Sequence, residues 1–209
     1  MASLAHVKRH LSALEACARC PRMAGPPVVG RPNARAEILL VGQAPGDREI
    51  VRRRPFAHSA GRTLFRWLDE ALAIDEEEAR AGLWFSAVCR CFPGKKERGG
   101  DRVPDAEEIE RCAPWLDDEL RMLRPRLVLA VGKLAISRFV RVQRLDDVIG
   151  RVLEVERAGV TFDLLPLPHP SGVSTWHVTE PGKTLLKEAL ALLSRHPAAV
   201  SLRTRARVR

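Results

Sequence analysis

The chain has 209 residues, enough for one domain with a substantial core, and its 45% hydrophobic and 29% charged residues exclude wholesale disorder. No apolar run approaches the roughly 18 residues needed to cross a bilayer, and the N-terminal stretch lacks a secretory cleavage pattern, so a cytoplasmic protein without membrane contact is expected. The net charge of +9, from 35 Lys and Arg against 26 Asp and Glu, suits a protein that displaces counterions from a phosphate backbone.

Leu4, Val7, Leu11 and Leu14 recur at helical spacing and predict an amphipathic helix over residues 3–16, leading into Cys17 and Cys20. A Pro- and Gly-rich loop follows. Residues 38–41 are a short continuous apolar run, as in a strand buried on both faces, and end in Gly42-Gln43-Ala44-Pro45-Gly46. Leu64, Trp67, Leu68, Ala71 and Leu72 mark a second helix that begins near Ser59-Ala60-Gly61. Residues 84–88 read as a strand, followed by a loop with Cys89 and Cys91. A helix over 104–123 turns Ile109, Ala113, Leu116, Leu120 and Leu123 inward and carries Cys112. A strand over 127–131 ends at Gly132, and residues 133–140 turn helical. Residues 152–155 and 161–165 flank Ala158-Gly159 as a hairpin. After Pro166-Leu167 comes His169-Pro170-Ser171-Gly172, and residues 181–194 close the fold as a helix. Strands alternating with helices predict a three-layer α/β/α sandwich with a largely parallel central sheet. One domain is expected over 1–196. Residues 197–209, with Arg203, Arg205, Arg207 and Arg209, read as a basic tail that frays and is available to nucleic acid.

Two motifs follow strand ends, where an open α/β sheet forms its ligand crevice. The first runs from Gly42 to Asp47, with Pro55-Phe56 and Ser59-Ala60-Gly61-Arg62 downstream; by itself it also describes an ordinary β–α turn, with Phe56 in the core. The second is His169-Pro170-Ser171-Gly172, in which Pro170 restricts the backbone of the histidine. Five cysteines in a reducing compartment are unlike structural disulfides. Cys17 and Cys20 form a CxxC, followed by Cys89, Cys91 and Cys112, and four thiolates from such a set suit either an iron–sulfur cluster or a four-cysteine zinc site.

The ordered set Gly42-Gln-Ala-Pro-Gly, Arg54-Pro-Phe-Ala-His-Ser-Ala-Gly-Arg and His169-Pro-Ser, together with the cysteines, resembles the uracil-DNA glycosylase superfamily over residues 10–195, and within it the iron–sulfur family 4 type. The resemblance implies a base-excision repair enzyme that flips uracil out of DNA and hydrolyses its N-glycosidic bond. It implies Cys17, Cys20, Cys91 and Cys112 as ligands of a 4Fe–4S cluster, with zinc as the alternative, and Cys89 as a spare residue in the core. His169 becomes the donor to charge on the departing base, acting as neutral imidazole. Gln43 orients water or base, and Asp47, ahead of Glu49, serves the water. Gly42, Ala44 and Phe56 bind the base, with Phe56 stacked on it. Ser59, Gly61, Arg62, Ser171 and Gly172 contact phosphates, and residues 173–176 wedge into the stack.

Two residues depart from the family pattern: Gln43 stands where family 4 has an acid, and Ala87 aligns with the asparagine that reads the uracil edge, a task left to Ser86 or a neighbouring backbone group. The expected partner is DNA, single- or double-stranded, bound by a monomer. Two other readings stay open: a glycosylase for another deaminated base such as hypoxanthine or xanthine, and a non-catalytic module that binds damaged or single-stranded DNA. Cys89, His58 and His177 receive no role.

Overall fold

A computed structural model describes residues 2–97, 99–172 and 174–207. Five strands form one sheet in the order β2-β1-β3-β5-β4. Strands β1 (Ile38–Gly42), β2 (Trp84–Ala87), β3 (Leu127–Val131) and β5 (Val160–Leu167) run parallel, and β4 (Leu153–Arg157) pairs antiparallel with β5 at one edge. Every residue of β1 and β3 is buried, which is why these central strands read as unbroken apolar runs. The β4–β5 hairpin turns through Ala158 (φ 55°) and Gly159 (φ 72°), two successive positive φ values suited to the twist of a tight hairpin.

Helices cover both faces. On one, His10 of α1 (Leu4–Glu15) packs edge-on against Trp115 of α5 (Ala106–Leu123), 5.4 Å between ring centroids, and 6.4 Å from Trp84 of β2. On the other, Phe85 of β2 meets Phe65 of α3 (Ser59–Leu72) at 5.9 Å, as the alternation of a strand requires. Helix α7 (Gly182–Arg195) joins this second layer against α3 and β5. The three-layer α/β/α expectation therefore holds. Among the described residues no helix is long and apolar enough to cross a membrane.

Several local features differ from the sequence reading. Two short helices were not anticipated, α2 (Asp47–Arg52) and α4 (Glu76–Gly82); both are too short for apolar periodicity and begin with side-chain caps. Glu49 accepts from the Gly46 N–H at 3.1 Å, and Asp75 and Glu78 cap one another at 2.8 and 2.9 Å. Helix α6 is one turn, Lys133–Ile136, instead of 133–140. The C-terminal segment, read from the sequence as a basic tail, forms a helix over Pro197–Arg207, α8. Ala198, Ala199 and Leu202 are buried, Gly82 leaves room for Leu202, and Ser201 and Arg205 bond Glu37 at 2.9 and 2.7 Å. The arginines hid an apolar stripe at i, i+1, i+4. Residues 208 and 209, with Arg209, lie outside the described residues.

Candidate active site

The C-terminal ends of β1, β2 and β3 and the segment after β5 meet at a cleft of about 520 Å³. Parallel register sets this up: Gly42 lies level with Ala87, and Val131 with Leu167, so the loops that follow all leave the sheet at one edge. Gly42 to Asp47, Phe56, Ser59, Ser86, Ala87, His169 and Ser171 line the cleft, so both sequence motifs come together there.

Phe56 is held in an uncommon conformation. Its φ is +51°, in the left-handed region that bulky residues avoid. The strain is offset by Arg80 of α4, which is 4% exposed and donates to the carbonyls of Pro55 at 2.7 Å and Phe56 at 3.1 Å. Two glycines shape the same spot. A Cβ on Gly42 would lie 2.8 Å from Phe56 Cζ, and one on Gly61 would lie 1.8 Å from the Phe56 carbonyl oxygen. The Phe56 ring thus rests directly over the start of the first motif and meets Phe85 edge-on at 6.3 Å. Gly61 is buried beneath Phe56, while Ser59 lines the cleft and Arg62 is exposed on α3. Arg80 has no sequence signal: it lies in Glu76–Gly82, a stretch that looks like a solvated charged surface.

His169 is fixed through one ring nitrogen. Nδ1 lies 2.9 Å from Ser171 Oγ and accepts from the Ser171 N–H at 3.2 Å. A backbone N–H only donates, so Nδ1 is the acceptor and the proton of the neutral ring sits on Nε2. Burial, and then the nearby His177, push the His169 pKa below the ordinary imidazole value of 6.5. The residue is therefore a neutral N–H donor at the wall of the cleft. Gly172 is exposed beside it and lies outside the cleft lining; Val173, the start of the expected wedge, lies outside the described residues.

Asp47 lies 3.0 Å from Lys95, whose ammonium also binds Asp101 at 2.7 Å. The Lys95 hydrogen bond holds the Asp47 carboxyl below its usual range, so Asp47 is an ion-paired carboxylate and a weak base. Lys95 and Asp101 also bridge the two arms of a loop after β2, and Lys96, Asp101 and Arg102 form a wall of the cleft that the sequence reading missed. Only the Gly99-Gly100 pair could have hinted at that turn. Ser86 and Ala87 line the cleft, but the Ser86 hydroxyl is buried beside Glu119 without a full hydrogen bond, on the α5 side of the sheet. Ala87, which follows it, has no polar atom beyond its backbone.

On the far side of the loop after β2, Cys17, Cys20, Cys91 and Cys112 line one cavity of about 340 Å³ together with Arg90 and Arg111. All five cysteines are free, and among the described residues no three His, Cys, Asp or Glu side chains stand close enough to hold a metal ion as they are. Burial and the neighbouring cysteines raise the Cys20 pKa and push Cys91 up to about 12. Thiols such as these two, whose ionisation is opposed by burial and by neighbouring thiols, lose their protons on binding a metal, because a coordinated cation stabilises the thiolate. Cys89 does not line the cavity. It is fully buried, and its interaction with the Cys112 thiol pushes Cys89 up and holds Cys112 down.

Comparison with known proteins assigns the chain to a family. The chain is 29% identical over 164 residues to a Type-4 uracil-DNA glycosylase of Pyrobaculum aerophilum, covering 75% of this chain and 79% of that protein. It is 30% identical over 151 residues to a Type-4 uracil-DNA glycosylase of Archaeoglobus fulgidus, covering 70% and 71%. It is 26% identical over 149 residues to the Type-4 enzyme of Saccharolobus solfataricus, covering 69% of this chain and 65% of that protein. Residues 29–201 match the family model of the uracil DNA glycosylase superfamily, to which this chain belongs.

Proposed function

We propose that the chain is a DNA repair glycosylase that hydrolyses the N-glycosidic bond of uracil flipped out of DNA. The observation that carries this reading is the His169 ring, whose Nδ1 is engaged by Ser171 and whose Nε2–H is left for the cleft. As the bond from C1′ to the base breaks, the electron pair leaves with the base and the sugar becomes cationic. A neutral N–H donor stabilises the anion on uracil O2 without first losing a proton. Phe56 stacks on the extruded ring. Gln43 orients the incoming water or the base through its amide, and Asp47 with Glu49 supplies negative charge near the cationic sugar and helps place that water. Because Lys95 already neutralises Asp47, its contribution is orientation more than proton abstraction. Water adds at C1′ and its proton passes to solvent. Ser59, Ser171 and Gly172 contact phosphates at the cleft rim, with Arg62 on α3 beside them and Gly61 supporting Phe56 from beneath. The test is single-turnover excision from a uracil-containing oligonucleotide: wild type releases uracil, and His169→Ala loses most of the rate while still binding DNA.

Cys17, Cys20, Cys91 and Cys112 would hold a 4Fe–4S cluster, which would fasten the loops around the cavity. The four-thiol donor set supports that assignment, and Arg90 and Arg111 would offset the charge of a thiolate-ligated cluster. A second reading concerns the base. Ala87 presents only backbone groups, and the Ser86 hydroxyl is turned to Glu119, so the edge of the base is read by main-chain atoms. That favours activity on other deaminated bases, hypoxanthine or xanthine, alongside uracil. A panel of lesion oligonucleotides tests it, and strict uracil-only activity refutes it.

A further inference from the structure

We propose that Arg90, Glu119 and His10 form a positioning clamp that keeps the four-cysteine cavity and the base cleft in one register. The inference rests on the reading of those cysteines as metal ligands. Arg90 is 2% exposed and donates through both terminal nitrogens to Glu119, at 2.9 and 2.6 Å, and Glu119 is completely buried. His10 Nε2 stands 3.5 Å from Glu119 Oε1, at the edge of hydrogen-bond range, and the Ser86 hydroxyl approaches the same carboxylate. Beyond these approaches, His10 Nε2, Ser86 Oγ and Arg90 Nε, together with the indole nitrogens of Trp84 and Trp115, are buried and make no full hydrogen bond among the described residues. Such a concentration of unpaired polar atoms is rare in a protein core. A buried ion pair is a poor device for stability alone, since apolar residues of similar shape commonly do as well. Its place in the fold indicates what it does.

Each member of the clamp belongs to a segment that carries a cavity cysteine. His10 lies seven residues before Cys17, Glu119 seven residues after Cys112 on α5, and Arg90 immediately before Cys91. Seven residues make about two helical turns, so on α5 Cys112 and Glu119 share one face. The clamp is therefore a second ring, parallel to the ring of cysteines, tying the same three segments together. The strand and loop of 86–91 extend this tie to the cleft. Val88 N–H donates to the Gly42 carbonyl at 2.9 Å and Cys89 N–H to the Gln43 carbonyl at 3.0 Å. A shift of Arg90 would move Cys91 on one side and the Gly42-Gln43 backbone on the other.

The experiment uses the full chain with Arg90→Met and Glu119→Leu combined, which removes both charges and leaves neither buried alone. Metal-free protein is titrated with Co²⁺, whose thiolate absorption reports the cysteine geometry without the native cluster. Single-turnover uracil excision, DNA affinity and thermal melting are measured beside it. The expected result is a cooperative melt and unchanged DNA affinity, with Co²⁺ bound about 10–100-fold more weakly, the scale for losing the support behind metal ligands. Excision should slow by a factor of about 10 or more, because a small displacement of a reacting group is costly in rate. Wild-type Co²⁺ affinity and rate in the folded double variant would overturn the clamp. If that variant does not fold, Glu119→Asp keeps the charge but shortens the reach to Arg90, and losses in the same direction are expected; unchanged values there overturn the proposal equally. A wild-type chain that takes up no Co²⁺ would sink the metal reading by itself, and the excision rates of the variants would then decide the clamp's hold on the cleft.

Discussion

Gly42→Ala and Gly61→Ala separate the two ways in which Phe56 is held, and their effects can be worked from distances. The new methyl at position 42 would stand 2.8 Å from Phe56 Cζ and 3.2 Å from Cε2. Carbon atoms rest at about 3.5–4.0 Å, so the ring must retreat by roughly 1 Å. It is the far end of a side chain in a solvated cleft, and it can tilt at little cost to the fold, about 1 kcal/mol. As a stacking platform it would then be misplaced, and an error of that size costs on the order of 10²-fold in rate, or about 2.7 kcal/mol of barrier. At position 61 the methyl would meet the Phe56 carbonyl oxygen at 1.8 Å and its carbon at 2.6 Å. That carbonyl is anchored by Arg80, so backbone has to move, and about 3 kcal/mol of stability should be lost despite the better helix propensity of alanine. The measurements are single-turnover excision with enzyme in excess and thermal melting. Gly42→Ala should be nearly as stable as wild type but slow, whereas Gly61→Ala should be both unstable and slow. A wild-type rate in Gly42→Ala would show that the Phe56 ring has no part in holding the base, and the reasoning would fail.

Further outcomes follow from other contacts. His169→Ala should lower the single-turnover rate about 10²–10³-fold with DNA affinity unchanged, the scale for one preorganised donor; full activity would remove the proposed mechanism. Burial lowers the pKa values of both His169 and His177 from 6.5, so on acidification the unfolded chain takes up protons before the folded one, and stability should fall as the pH drops below about 6.5. Melting temperatures across pH 5–8 check this, and His169→Gln should flatten the trend. If the cysteines hold the proposed cluster, Cys89→Ala should contain iron, while Cys91→Ala and Cys112→Ala should not; metal analysis that finds the reverse moves the ligand assignment by two residues. Deleting 197–209 should cost about 2–3 kcal/mol through Leu202 alone, as judged by denaturant unfolding, because α8 is docked against the core. A truncated chain with wild-type stability would contradict that docking.

The elements with strong periodicity were readable in order. Ile38–Gly42 and Leu127–Val131 declared themselves as buried strands because both faces are covered, and Ser59–Leu72 and Ala106–Leu123 as helices because one face alone is. What failed lacked such a signal. Asp47–Arg52 and Glu76–Gly82 span too few turns to show a face, and their existence depends on caps. Pro197–Arg207 presented a run of arginines whose three inward residues matter only because Gly82 leaves space for Leu202.

By itself the sequence determined the chemistry available: a Gly- and Pro-rich turn after a buried strand, a histidine whose backbone is restricted by the proline that follows it, and five cysteines of which two form a CxxC. Those are local properties of residue type and spacing. Tertiary structure decided how they are used. Only the parallel register of β1, β2, β3 and β5 brings Gly42 and His169, 127 residues apart, to one cleft, and only the pleat of β2 turns the Ser86 hydroxyl toward Glu119 while Phe85 faces α3. Lys95 bridging Asp47 and Asp101, Arg80 under Phe56, and Arg90 in the grip of Glu119 all involve charged residues that look like surface charges when read along the chain. A charge states its sign in the sequence, but its burial and its partner depend on contacts between residues far apart in the chain, and those exist only once the layers have packed.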